Sequence, residues 1–133
     1  MMTNRRLGER VVPDDLEIEW AVPGTKLGTT KGRKQPPMAL VSDISISGLQ
    51  VVAPDHDKVQ IGTLVPISLG GLETTVRVRW IRPALAEGKS AYGAVFLQIS
   101  RELEELINQI VVQCRFRDGL PVREEPQGYR TIW

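Results

Sequence analysis

The fold class follows first from residues 16–22, which read LEIEWAV. Apolar side chains occupy positions 16, 18, 20 and 22 of this stretch, and glutamates occupy positions 17 and 19. Because successive side chains of a β-strand point to opposite faces, this period of two predicts a strand with one buried face and one wet face. Pro23 and Gly24 follow directly and end the strand.

Five further stretches that follow this strand along the chain have residue patterns typical of strands. Turns that contain glycine or proline separate them. Six short strands in succession predict an all-β fold, a closed or nearly closed six-stranded antiparallel β-barrel, since closure removes exposed sheet edges. In the fifth strand we expect Val76, Val78 and Trp80 on the buried face. The predicted strands after the first are Met38–Ile46, Leu49–Ala53, Leu64–Leu69, Thr74–Ile81 and Ala91–Ile99.

The hydrophobic period changes after residue 100. Apolar side chains recur at helical spacing from Leu103 to Cys114, which predicts an amphipathic helix from about Arg101 to Phe116. Ser100 is the predicted N-cap, because its side chain can accept a hydrogen bond from the first turn. We expect the apolar stripe to cover an open end or side of the barrel, with Cys114 as a small core residue on that stripe.

The predicted organisation is one folded domain between two irregular segments. Residues 1–14 form a polar, arginine-rich arm that we expect to be flexible, residues 15–116 form the barrel and its C-terminal helix, and residues 117–133 form a tail that contains several prolines and glycines. Residues 24–37 form a long basic loop, for which both a solvated connection and a functional element stay open.

The composition disfavours several classes of protein. Of the 133 residues 41% are hydrophobic, and the formal net charge is +1, so we expect neither a disordered chain nor a strongly basic nucleic-acid binder. No apolar run approaches the roughly 20 residues that span a bilayer, and no signal-peptide core follows the N-terminal arginines. With one cysteine, no internal disulfide can form. We therefore expect a cytoplasmic protein without direct membrane insertion.

The sequence offers little for catalysis. Its one histidine, His56, lies in a polar connection where we expect it to be exposed, and Cys114 lies on the apolar stripe of the helix. A metal-ligand cluster, a phosphate-binding glycine loop and a nucleophile elbow are all missing, so we expect no enzyme, no metal and no cofactor. A nucleic-acid-binding barrel is disfavoured because aromatic residues make up 5% of the chain and we expect Trp20 and Trp80 to be buried.

Two short motifs carry the functional signal. The first is an RxxxR pattern in the N-terminal arm, preceded by a further arginine, and the second is a DxSxxG pattern between the second and third strands. Taken alone each is common, because arm arginines are often solvated, and in such a turn the aspartate and serine cap backbone groups while the glycine supplies a positive φ. The residues concerned are Arg5, Arg6 and Arg10 in the arm, and Asp43, Ser45 and Gly48 in the turn.

In this order the two motifs resemble the PilZ family, in which an arginine-rich arm with RxxxR precedes a (D/N)xSxxG motif on the barrel. Val78-Arg79-Trp80 and Gly93–Phe96 are similar to two later strands of the family, and a C-terminal helix follows them. The resemblance covers roughly residues 5–112. It implies a PilZ-like split barrel that binds cyclic di-GMP, a bacterial second messenger.

The resemblance assigns ligand binding to all six motif residues, and their chemistry suits this ligand. The guanidinium fork of an arginine matches O6 and N7 of guanine, stacks on purine faces and pairs with phosphate. Asp43 can accept hydrogen bonds from guanine N1–H and N2–H₂, and Ser45, two residues later in a strand, is expected on the same outer face. Gly48 permits a close approach of ligand or backbone. Arg5 would hold a second, stacked ligand or have no role.

The mechanism that the resemblance implies is the closing of the arm. Without ligand the arm up to Arg10 would be mobile, and bound cyclic di-GMP would bridge it to the Asp43–Gly48 surface and order it. The ordered arm would signal to a separate effector protein that controls motility, biofilm formation or exopolysaccharide synthesis. The alternative is a PilZ-like adaptor that binds proteins without ligand, and the intact motifs favour the receptor over it.

Overall fold

A computed structural model describes residues 9–28 and 36–119 of the chain. Within this part the strands are β1 (Glu17–Trp20), β2 (Met38–Ile44), β3 (Gly48–Pro54), β4 (Leu64–Leu69), β5 (Leu72–Ala86) and β6 (Lys89–Phe96), and the helix is α1 (Arg101–Arg117). All neighbouring strands pair antiparallel in the order β1-β2-β3-β6-β5-β4, which closes the sheet into a barrel. The predicted six-stranded antiparallel barrel with a C-terminal helix is therefore confirmed.

Several strands have other bounds than predicted; β1 is limited to Glu17–Trp20, and β6 ends at Phe96 rather than at Ile99. Strand β2 ends at Ile44 rather than at Ile46, because the chain turns there and the backbone N–H of Ser45 donates to the carbonyl of Gly48 at 2.9 Å. Strand β5 is longer than predicted, with 15 residues from Leu72 to Ala86, because it forms hairpins with both β4 and β6. The short connections of these hairpins keep β5 paired almost to its ends.

The apolar faces of the strands fill the interior of the barrel. Ile18 and Trp20 of β1 are 1% and 0% exposed, as the alternation in this stretch predicts. The rings of Trp20 and Tyr92 lie with their centroids 5.5 Å apart, a separation at which aromatic pairs attract each other. The core therefore contains an aromatic pair near β1, and the outer faces of the strands remain available for other contacts.

Helix α1 packs its apolar stripe on the barrel core. Its buried Leu103, Ile107 and Val111 belong to the same cluster as the strand residues, and Cys114 is buried as well. The hydroxyl of Ser100 accepts a hydrogen bond from the Leu103 N–H at 3.1 Å, which confirms the predicted N-cap. The helix thus covers core residues that the strands leave open, as expected from its stripe.

Strand β5 departs from the prediction at Trp80. The register of β5 against β6 shifts between Val78 and Trp80, so that Val78 stays in the core while Trp80 pairs with Gly93. Tyr92 and Ala94 on either side of Gly93 belong to the core, so Gly93 itself faces outward. Trp80 lies half-buried on this outer face. The expectation that Trp80 is buried in the core is therefore wrong.

Candidate functional site

Four of the six predicted site residues lie in the described part of the chain, and Arg5 and Arg6 lie outside it. The Nη1 group of Arg10 donates to the carboxylate of Asp43 and forms an ion pair with it, although the two residues are 33 positions apart. The side chains of Arg10 and Asp43 are 44% and 20% exposed, so the pair lies at the surface. The fold thus joins one residue from each motif.

The segment before β1 is bonded to both the barrel and the helix. Val11 and Ile44 exchange two backbone hydrogen bonds of 3.0 Å, which form an isolated antiparallel bridge beside β2. The carboxylate of Glu9 forms an ion pair with Arg115 of α1. These contacts hold Arg10 next to the end of β2. This part of the predicted flexible arm is therefore attached to the folded domain.

A β-bulge sets the direction of Asp43. The register between β2 and β3 shifts between Val41, which pairs with Val51, and Asp43, which pairs with Gln50. Val41 remains in the core at 1% exposure. Because the extra residue of a bulge re-aims the side chains next to it, Asp43 presents its carboxylate on the outer surface.

Ser45 does not lie on the surface. It is fully buried, its hydroxyl lies 2.9 Å from that of Ser47, and it also accepts the Ser47 backbone N–H at 3.2 Å. Its own N–H bonds to Gly48, so Ser45 stabilises the turn between β2 and β3. The expectation that Asp43 and Ser45 lie side by side on the outer surface is therefore wrong for Ser45.

Gly48 is required by the packing of two strands. A Cβ atom at this position would lie 2.2 Å from the carbonyl oxygen of Ala94 and 3.0 Å from the Cα of Val95, both in the backbone of β6. Its backbone has no positive φ, so the expected left-handed conformation is wrong. The predicted close approach of backbone is confirmed, because no other residue fits between β3 and β6 here.

Asp43 lies at one end of a row of residues on the outside of the barrel. Backbone pairing aligns Asp43 with Gln50, Gln50 with Gly93, and Gly93 with Trp80, across β2, β3, β6 and β5. We call these four residues the outer row. The indole of Trp80 lies on Gly93, where an added Cβ would be 2.1 Å from its Nε1 and Cε2 atoms. The predicted carboxylate thus shares one face with an aromatic platform.

The outer row offers the groups that recognise a purine. Trp80 presents a ring for stacking, and Asp43 presents acceptors for the donor edge of a base. Neighbouring strands are about 4.8 Å apart, so the three strand spacings of the row span roughly 14 Å, enough for a base and the adjoining sugar and phosphate. The guanidinium of Arg82 lies 5.6 Å from the centroid of the Trp80 ring and adds a positive charge beside it.

Three side chains on this face do not belong to the site residues predicted from the sequence, namely those of Gln50, Trp80 and Arg82. One signal for them is Gly93, because a glycine inside a strand often marks the close approach of another group. The alternation in β5 points the other way, since it assigns Trp80 to the face of Val78. Nothing in the sequence locates the register shift that turns Trp80 outward.

Other reactive side chains are engaged in packing or turns. Burial raises the pKa of the Cys114 thiol, and its Sγ lies 3.8 Å from the carbonyl of Val12, so Cys114 is a packing residue as expected. His56 is half-buried rather than exposed as expected, and its Nδ1 accepts the backbone N–H of Lys58 at 3.2 Å. Among residues 9–28 and 36–119, no group of three or more potential metal ligands is present.

The helix of the described part is not long and apolar enough to cross a membrane. A comparison with curated proteins finds no match. Among solved structures, the PilZ domain with c-di-GMP of YcgR from Escherichia coli is similar to this chain, with a TM-score of 0.55, 13% sequence identity, and coverage of 84% of this chain and 95% of that one. The sequence model of the PilZ domain matches residues 4–113. Because this match spans most of the 133 residues, the chain belongs to the PilZ domain family.

Proposed function

We propose that this protein is a receptor for cyclic di-GMP. The observation that carries the proposal is the outer row, which has the Arg10–Asp43 pair at one end and Trp80 at the other. A guanine nucleotide needs a carboxylate for its donor edge, guanidinium groups for its acceptor edge and phosphates, and a flat surface for its face. The similar fold of the YcgR domain, which is described with c-di-GMP, supports the same ligand class.

Asp43 and Arg10 would read the guanine base together. Nη1 of Arg10 contacts Oδ1 of Asp43, and the pairing leaves Oδ2 and the other guanidinium donors for a ligand. The carboxylate would accept guanine N1–H and N2–H₂, and the guanidinium would donate to O6 and N7 or to a ring phosphate. Adenine lacks the N1–H and N2–H₂ donors, so this arrangement favours guanine.

Trp80 would stack on a base, which adds sequence-tolerant affinity of about 1–3 kcal/mol per base. Ser45 and Gly48 would act indirectly, since Ser45 holds the turn after Asp43 and Gly48 lets β3 approach β6. Arg5 and Arg6 remain proposed ligand contacts from the RxxxR motif, with Arg5 reserved for a second, stacked ligand. Of the described motif residues, Arg10 and Asp43 would therefore contact the ligand at the surface. Ser45 and Gly48 would stabilise the backbone that holds Asp43 in place.

The relay would run through the segment before β1. Arg10 precedes the Val11–Ile44 bridge, and Glu9 is paired with Arg115 of α1. A ligand that draws Arg10 toward a base or phosphate would reposition this segment and the C-terminal half of the helix together. The altered surface would then bind a separate effector in the cytoplasm, in the control of motility, biofilm formation or exopolysaccharide synthesis.

Isothermal titration calorimetry with cyclic di-GMP tests the receptor directly, with GTP and cyclic di-AMP as ligand controls. We expect saturable binding of cyclic di-GMP alone, lost in Asp43→Ala and kept in the matched control Asp57→Ala, whose carboxylate is 94% exposed and lies outside the outer row. Circular dichroism checks that both variants fold. No heat and no stabilisation of the wild-type protein by cyclic di-GMP would refute the receptor and favour the adaptor that binds proteins without ligand.

A further inference from the structure

Arg82 lies beside Trp80 on the outer face, and neither motif includes it. We propose that Arg82 is a ligand-binding residue, whose guanidinium covers the Trp80 ring in the free protein and clamps a purine base against that ring in the complex. The inference rests on the proposed cyclic di-GMP receptor and adds to it a second stacking partner on β5. The observation that suggests this role is a cation–π contact, in which the guanidinium carbon of Arg82 lies 5.6 Å from the centroid of the Trp80 ring.

The strand pairing explains why the two side chains meet. Trp80 pairs with Gly93, and Arg82 pairs with Ala91 on the same strand β6. Glycine and alanine carry the smallest side chains, so the outer surface of β6 is low at both positions. Residues two apart on a strand face the same side, which brings Arg82 within reach of the indole. Both large side chains can therefore lie over the β6 backbone.

Arg82 has little else to hold it in place. It is exposed, and within the described ranges 9–28 and 36–119 it forms no ion pair with a carboxylate. Its observed contact is the cation–π contact with Trp80, which is weak at an exposed site. A guanidinium held only by this contact can move away from the ring at a small cost in free energy. A residue that served stability alone would not need this freedom to move.

The chemistry of both groups suits a purine between them. Guanidinium planes and indole rings each stack on bases, and contact distances of about 3.5 Å on each side require about 7 Å between the two planes. Because the guanidinium carbon lies 5.6 Å from the ring centroid, Arg82 must move away from the ring to admit a base. Its positive charge would also lie near the ring phosphates of cyclic di-GMP.

The free protein gives the first test, through acrylamide quenching of tryptophan fluorescence in a W133F background. Trp20 is fully buried, so the accessible emission in this background comes from Trp80. We expect Arg82→Ala to increase quenching and Arg79→Ala, which removes an exposed charge from the same strand, to leave it unchanged. Equal quenching in Arg82→Ala and the parent protein would overturn the contact.

Titration with cyclic di-GMP gives the second test. We expect Arg82→Ala and Arg82→Lys to raise Kd by roughly 3- to 30-fold, the fold-change of one cation–π or stacking contact, and Arg79→Ala to raise it by less than about 3-fold. Arg82→Lys keeps the positive charge but removes the planar guanidinium. A loss of affinity in this variant is therefore due to lost stacking and not to lost electrostatic attraction. If the parent protein binds cyclic di-GMP and Arg82→Ala has the same Kd as Arg79→Ala, the role of Arg82 is overturned and the receptor stands. If the parent protein does not bind cyclic di-GMP, both the receptor and the role of Arg82 are overturned.

Discussion

Replacing Gly93 by alanine would test whether the Trp80 platform belongs to the ligand site. An added Cβ would lie 2.1 Å from Cε2 and Nε1 of the Trp80 ring and 2.7 Å from its Cδ1, so the ring must leave its present position. Because Trp80 is only half-buried and lies on the outer face, the ring can swing into solvent. The substitution therefore removes the platform without entering the core.

The same substitution at Gly48 would act differently, and the comparison fixes the expected magnitudes. There the Cβ meets the carbonyl oxygen of Ala94 at 2.2 Å, and this backbone is held in the pairing of β3 with β6. We expect Gly48→Ala to cost about 1–3 kcal/mol or more through overpacking. Gly93→Ala should cost about 1 kcal/mol or less, since only an outer side chain moves. Its effect on binding should be the loss of one stacked base, about 1–3 kcal/mol, or about 5- to 140-fold in Kd.

Thermal unfolding by circular dichroism and calorimetric titration with cyclic di-GMP measure both effects. We expect Gly48→Ala to lower Tm clearly, at roughly 3–5 °C per kcal/mol for a domain of this size, and Gly93→Ala to lower it less. In a double-mutant cycle Gly93→Ala and Trp80→Ala should not add in binding, because both remove the same platform. Wild-type affinity in a folded Gly93→Ala protein would refute the assignment of Trp80 to the site.

Three further predictions concern the Arg10–Asp43 pair, the segment before β1 and the barrel interior. Arg10→Lys keeps the charge that faces Asp43 but loses the planar fork, so Kd for cyclic di-GMP should rise about 5- to 100-fold in the same titration, and an unchanged Kd would exclude a bidentate contact. Glu9→Gln removes the partly buried ion pair with Arg115 and should lower the unfolding free energy by about 1 kcal/mol in urea; a double-mutant cycle without coupling would contradict this. Burial raises the pKa of Tyr92 above its ordinary value of 10.0, so its contribution to stability is complete below pH 10 and is lost as the pH rises through the folded-state pKa. Tyr92→Phe should therefore weaken the decline of stability between pH 9 and pH 11, and parallel declines in both proteins would argue against it.

Much of the fold could be predicted from local patterns. The alternation in residues 16–22 places Ile18 and Trp20 in the core, and the change to helical spacing after Ser100 marks α1. These features depend on the spacing of apolar residues within one element, which the sequence displays directly. The N-cap of Ser100 is equally local, because its hydrogen bond reaches only three residues along the chain.

The candidate site could be predicted only in part. The two motifs identified Arg10 and Asp43, which the fold brings into contact, and Gly48, whose lack of a side chain the fold requires. The strand pattern predicts Ser45 at the surface, but Ser45 is buried because β2 ends before it and the chain turns. The alternation in β5 predicts Trp80 in the core, but Trp80 lies on the outer face of the barrel. Both differences arise where a strand loses its regular alternation.

Neighbouring residues are enough to predict the number and kind of elements, the capped helix and the two motifs, since each is encoded locally. The order of the strands in the barrel, and with it the outer row from Asp43 to Trp80, depends on pairing between distant segments and is visible only in the folded chain. The register shifts at Val41/Asp43 and Val78/Trp80 form against partner strands elsewhere in the chain, and one extra residue reverses the face of every side chain that follows. The direction of Asp43 and Trp80 is therefore a property of the paired strands, and no single strand carries it alone.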